Sequence, residues 1–71
     1  MTLYELAKNA LEANEHLNKA SGNEQINLNA VEAFANAAGI NVRNNAFGIM
    51  LAFTSAKLIV LAVEEVKGND Q

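Results

Sequence analysis

AFGIMLAFTSAKLIVLAV, residues 46–63, is the longest apolar run of the chain, and Lys57 is its only charged residue. The run is too long for a strand and contains no proline, so it predicts a helix. Asn44 or Asn45 offers the N-cap, and Gly68 is expected just past the last turn. The rest of the chain must supply the surfaces that cover this helix.

Three rows of this helix are largely apolar, because successive side chains advance by about 100° around the axis. The rows are Gly48, Ala52, Ser55, Ile59, Ala62 and Val66; Ile49, Phe53, Ala56, Val60 and Val63; and Phe47, Leu51, Thr54, Leu58, Leu61 and Glu65. Only a narrow strip with Lys57 and Glu64 is polar. Since a surface helix has a single apolar stripe, three rows predict burial on more than one side.

The two flanking helices are marked by their caps. Thr2 and Glu5 form a capping-box pattern, so a first helix is expected to run to about Ser21, before Gly22. Its predicted apolar row is Leu3, Leu6, Ala10, Ala13, Leu17 and Ala20. Charged residues occupy the opposite face, so this helix is amphipathic and has one face to bury against the third helix.

A short second helix is predicted over 28–38, with Gly39 as its C-terminal stop. Asn29 with Glu32 forms a capping-box pattern, and Asn27 offers an alternative cap. Ile40 and Val42 are expected to close one end of the core. These elements predict an all-α fold of three helices, long, short and long, with the first and third antiparallel, that forms a dimeric helical bundle.

Length and charge limit the classes of function. With 71 residues and no cysteine, the chain predicts one small domain, residues 1–71, without disulfides. A core of this size rarely supplies more than about 3–5 kcal/mol, which favours self-association. A net charge of −3 with five basic residues does not favour a nucleic-acid partner. No basic region followed by an apolar stretch opens the chain, which predicts a cytoplasmic protein.

No set of side chains predicts catalysis, a cofactor or a metal site. His16 is the single histidine, and its spacing from Glu12 is typical of an exposed ion pair on a helix. Ser55 has no evident base, and the adjacent Glu64 and Glu65 point about 100° apart. The sequence therefore predicts a protein without catalytic activity.

A single membrane span over 46–63 is the first alternative. Its Leu, Ile, Val and Phe residues contribute roughly −3 to −5 kcal/mol to insertion, and a central lysine costs about 2.5 to 3.5 kcal/mol. The free energy of membrane insertion is thus close to zero. Arg43 and Lys67 give no charge asymmetry and no Trp or Tyr belt flanks the run, which favours a soluble fold.

A helix-turn-helix is the second alternative, because Ala35 precedes the turn glycine Gly39 by four residues as in such motifs. Asn45 and Gly48 then stand where a recognition helix needs large apolar residues, and Arg43 is its only cation. Phosphate contacts require several cations on one face. A DNA-binding regulator is therefore the weaker alternative.

The sequence predicts a small interaction module that acts as a homodimer and binds a further protein. The third helix has more large apolar side chains than the first two helices can cover, and leaving about five in water would cost near 7–15 kcal/mol. The small-residue row allows close approach, although the first helix can occupy it and leave the Phe53 and Val60 row to the partner. The predicted self-association interface is Gly48, Ala52, Ser55, Ala56, Ile59, Ala62, Val63 and Val66.

Overall fold

Three α-helices form the fold in the computed structural model, which describes residues 1–23, 25–43 and 45–69. They are α1 (Leu3–Ser21), α2 (Leu28–Ala38) and α3 (Ala46–Asn69). The Nζ atom of Lys67 lies 4.7 Å from the ring centre of Tyr4, while Phe53 and Asn18 line one groove. The end of α3 thus lies beside the start of α1, and the predicted all-α, antiparallel arrangement is confirmed.

The capping box predicted for α1 is present. Thr2 Oγ1 accepts a hydrogen bond from the Glu5 N–H at 3.1 Å, and Glu5 Oε1 accepts one from the Thr2 N–H at 2.9 Å. The second bond lowers the pKa of Glu5, because the backbone donor favours the ionised carboxylate. Gly22 ends the helix with φ of 74°, a left-handed conformation that glycine adopts without a Cβ clash. The predicted bounds of α1 are confirmed.

Helix α2 has the predicted bounds but a different N-cap from the Asn29 and Glu32 pattern. The side chain of Asn27 accepts from the Ala30 N–H at 3.1 Å, so Asn27 is the cap and Asn29 lies inside the helix. The pattern at Asn29 is wrong as a start signal because Asn27 satisfies the first-turn donor one residue before the helix begins. Gly39 ends α2 with φ of 76°.

Helix α3 begins after Asn45, whose Oδ1 accepts from the Gly48 N–H at 3.1 Å. Asn44, the other predicted cap, lies outside the described residues. The prediction that Gly68 ends the helix is wrong, because α3 continues to Asn69. A glycine stops a helix where the chain turns left-handed, and Gly68 does not have the positive φ of Gly22 and Gly39.

The core is small and rich in alanine. Phe34 and Val31 are its largest fully buried side chains, and Val42 and the half-buried Ile40 of the α2–α3 connection join it as predicted. The buried cluster comprises Ala7, Ala10, Val31, Phe34, Ala35, Val42, Ala52, Ala56 and Val60. Because alanine has no rotamer freedom to lose, it lets helices approach closely at little entropic cost.

The buried row of α1 differs from the predicted one. Ala7, Ala10 and Asn14 are buried, whereas Leu3 and Ala20 at the ends of the predicted row are exposed. Asn14 is 2% exposed, and its Oδ1 accepts from the Asn27 N–H at 2.6 Å. A polar residue stands in the buried row because the chain entering α2 needs an acceptor there.

A second asparagine of α1 makes the same kind of bond. Asn18 Oδ1 accepts from the Gln25 N–H at 2.7 Å, in a more exposed position. Asn14 and Asn18, one turn apart, therefore hold the α1–α2 connection at two backbone donors. Among the described residues, Asn14 Nδ2 has no hydrogen-bond partner. The buried Asn14 side chain therefore stabilises the fold through the hydrogen bond that its oxygen accepts.

Replacing Asn14 with alanine should lower the free energy of unfolding by about 1–3 kcal/mol, because the N–H of Asn27 loses its acceptor in a covered position. The matched change, Asn18→Ala, should cost less, since water can replace the acceptor at Gln25. Urea unfolding followed by circular dichroism measures both. Equal stabilities of the two variants would contradict the anchoring role of Asn14.

Candidate self-association surface

The side of α3 that faces away from the core is apolar and exposed. We call it the outer face, and it consists of Phe47, Met50, Leu51, Thr54, Leu58 and Leu61. The exposed fractions of its five large side chains run from 46% at Leu51 to 76% at Phe47. Ala56, in the core, lies about 160° around the helix from Leu58. Helix α3 is thus apolar on opposite sides, and α1 and α2 cover one of them.

The residues predicted as the self-association interface fall into three groups in the structure. Ala52 and Ala56 are fully buried within the protomer, and Gly48 is buried as well. Ser55, Ile59 and Val63 are half-buried, and Ala62 and Val66 are exposed.

Gly48, Ala52 and Ala56 therefore face the chain's own core, whereas Ala62 and Val66 of the predicted set stay open to a second copy. The alternative row is partly covered too, since Val60 is buried and Phe53 half-buried. Self-association itself stays a prediction, and the large surface open to it is the third row.

Gly48 was predicted to allow the close approach of a second copy, but in the structure the α2–α3 connection approaches it. A Cβ at this position would overlap the carbonyl oxygen of Asn41, and it would lie 3.1 Å from the side-chain nitrogen of Asn45. The α2–α3 connection thus passes directly against the first turn of α3. The small residue is needed for this crossing within the protomer.

A groove between α1 and α3 flanks the outer face. The Nζ atom of Lys57 lies 4.7 Å from the ring centre of Phe53, and Lys19 pairs with Glu15 at 3.0 Å. The hydrogen bond and charge of Lys19 lower the pKa of Glu15, although an exposed pair of this kind contributes little to stability. Lys19 and Lys57 therefore each interact with a residue of their own helix.

Side chains that could bind a metal ion or act in catalysis do not cluster in the described residues. The described part of the chain contains no group of three His, Cys, Asp or Glu residues placed to hold a metal ion. Glu12, His16, Glu64 and Glu65 are all exposed, and Ser55 is half-buried on α3.

By length and composition, α3 can cross a membrane over Ala46–Gly68. Core helices of soluble proteins also have such length and composition, but those are mostly buried. Only 22% of the most apolar window of α3 is buried inside the protomer. Either a second protein surface or lipid would cover the remainder.

Comparison with known proteins gives no match to a family model, a curated protein or a solved structure. Helices α1 and α2 leave the outer face of α3 uncovered.

Proposed function

We propose that this chain is a small, non-catalytic helical interaction module that acts as a homodimer through the outer face of α3. The observation that supports it is the set of five exposed large apolar side chains opposite the core, with Thr54 among them. A helix that is apolar on opposite sides is normally buried on both of them. A second copy supplies the missing cover, and two-fold dimers are the commonest assemblies.

The area of the outer face suits such a dimer. A large aromatic side chain covers roughly 150–250 Å² and an aliphatic one somewhat less. With the observed exposed fractions, the five side chains offer on the order of 500 Å² per protomer, so a pair buries about 1,000 Å², the lower size of a specific interface. Thr54 and the flanks of α3 add to this area.

Sedimentation equilibrium of the purified chain in detergent-free buffer tests the proposal. We expect a dimer whose fraction falls on dilution, because the driving force is burial of apolar area between two copies. A well-folded species that stays monomeric at high concentration would contradict it. Cooperative unfolding of the same sample is the check that the protein is folded.

A single-span membrane protein is the second candidate, favoured by the length and low burial of α3. The fold argues against it, because α1 lies along α3 and carries Glu12, Glu15 and Lys19. Each charge near the bilayer centre costs about 2.5–3.5 kcal/mol, so α1 would have to leave α3. Recovery of the chain only in washed membranes would favour the span over the cytoplasmic homodimer.

We also propose that the homodimer binds a further protein. Nucleic acid is not proposed as a partner. The five basic residues of the chain are outnumbered by eight acidic ones. Arg43 is the single cation near the start of α3, where a recognition helix would need several.

A further inference from the structure

We propose that the two α3 helices of the dimer pair antiparallel in one register, which rests on the proposed homodimer. Leu51 then lies opposite Leu61 of the partner subunit, and Thr54 lies opposite Leu58 of the partner subunit. Phe47 lies opposite Glu65 of the partner subunit. Met50 lies at one margin of this contact.

The spacing of the row allows this pairing. Phe47, Leu51, Thr54, Leu58, Leu61 and Glu65 are separated by four, three, four, three and four residues. This sequence of intervals is the same in both directions, so a two-fold axis beside the middle of α3 places each member against another member. Alternating intervals of four and three are also those of helices that pack as coiled coils.

Charge favours the antiparallel orientation over the parallel one. A parallel pair would bring Glu65 against Glu65 of the partner subunit, and like charges there oppose association. In the antiparallel pair, Glu65 lies near the first turn of the other α3, which contains no acidic residue. The free N–H groups of a helix start carry partial positive charge and favour a carboxylate.

Arg43 adds to this complementarity. It precedes α3, is exposed, and makes no ion pair with the rest of the described chain. The antiparallel pair brings the Glu64 and Glu65 end of one helix to the Arg43 end of the other. Lys57, the remaining cation beside the row, holds its ammonium group over its own Phe53 ring, toward the α1–α3 groove.

Single cysteines test the register, because the chain has none of its own. Leu51→Cys and Leu61→Cys are prepared separately, mixed in equal amounts, unfolded and refolded together, and then oxidised. We expect a disulfide-linked dimer from the mixture and none from either variant alone, since a disulfide needs Cα atoms about 4.4–6.8 Å apart. Leu28→Cys, at an exposed leucine away from the outer face, is the matched control in each mixture.

The possible outcomes test the antiparallel register and the homodimer separately. Cross-linking of Leu51→Cys with itself would overturn the antiparallel register while retaining the homodimer. A sedimenting dimer that gives no mixed disulfide would also overturn the register. A monomer in sedimentation together with no cross-link would overturn the proposed function itself.

Discussion

Replacing Leu58 with glutamate should convert the homodimer to a folded monomer. Leu58 is 62% exposed in the protomer, so the change removes little packing from the core, whereas in the dimer it places a carboxylate inside an apolar contact. An uncompensated charge there costs roughly 3–5 kcal/mol, which weakens association by a factor of about 150 to 4,000. Sedimentation equilibrium measures the change, and circular dichroism reports that the helices are retained.

Leu28→Glu is the matched control for this experiment. Leu28 is also an exposed leucine, at 54%, but it begins α2 and lies outside the outer face. A glutamate in the first turn of a helix is favourable, so this variant should keep both its stability and its dimer. An unchanged dimer in Leu58→Glu would show that α3 does not associate through the outer face.

Replacing Gly48 with alanine should destabilise the protomer strongly. The new methyl group would overlap the carbonyl oxygen of Asn41, and backbone moves less readily than a flexible side chain. Overpacking of this kind costs on the order of 3 kcal/mol, a large part of the stability of a small domain. Urea unfolding followed by circular dichroism measures the loss.

A second glycine of α3 is the control. Gly68→Ala places its methyl group where no non-neighbouring atom of the described residues lies within 4 Å, and alanine favours a helix by about 1 kcal/mol over glycine. This variant should therefore be slightly more stable than the natural chain. If Gly48→Ala also gained stability, the crossing of the α2–α3 connection against α3 would be wrong.

Local signals in the sequence predicted the helices because caps act over a few residues. The hydroxyl of Thr2, the carboxylate of Glu5 and the glycines after α1 and α2 mark their ends within one turn. The end of α3 was harder, since Gly68 can either stop or continue a helix. Which it does depends on the backbone conformation, and residue type alone does not determine that.

The inward side of α3 could not be predicted in the same way. Its three rows are similarly apolar, so the periodicity carries no preference among them. The choice depends on distant partners: α1 and α2 cover Ala52 and Ala56, and Asn41 crosses at Gly48. The small residues Gly48, Ala52 and Ala56 were predicted as part of a self-association interface, and in the structure they pack within the protomer.

The bonds from Asn14 and Asn18 also bear on how the chain reaches this fold. Helix α2 has 11 residues, fewer than the roughly 12–15 that an isolated helix needs in water. Its entry is held by acceptors that are positioned only when α1 is already helical. We therefore expect α1 and α2 to behave as one cooperative unit, so that local opening of α1 releases α2 with it.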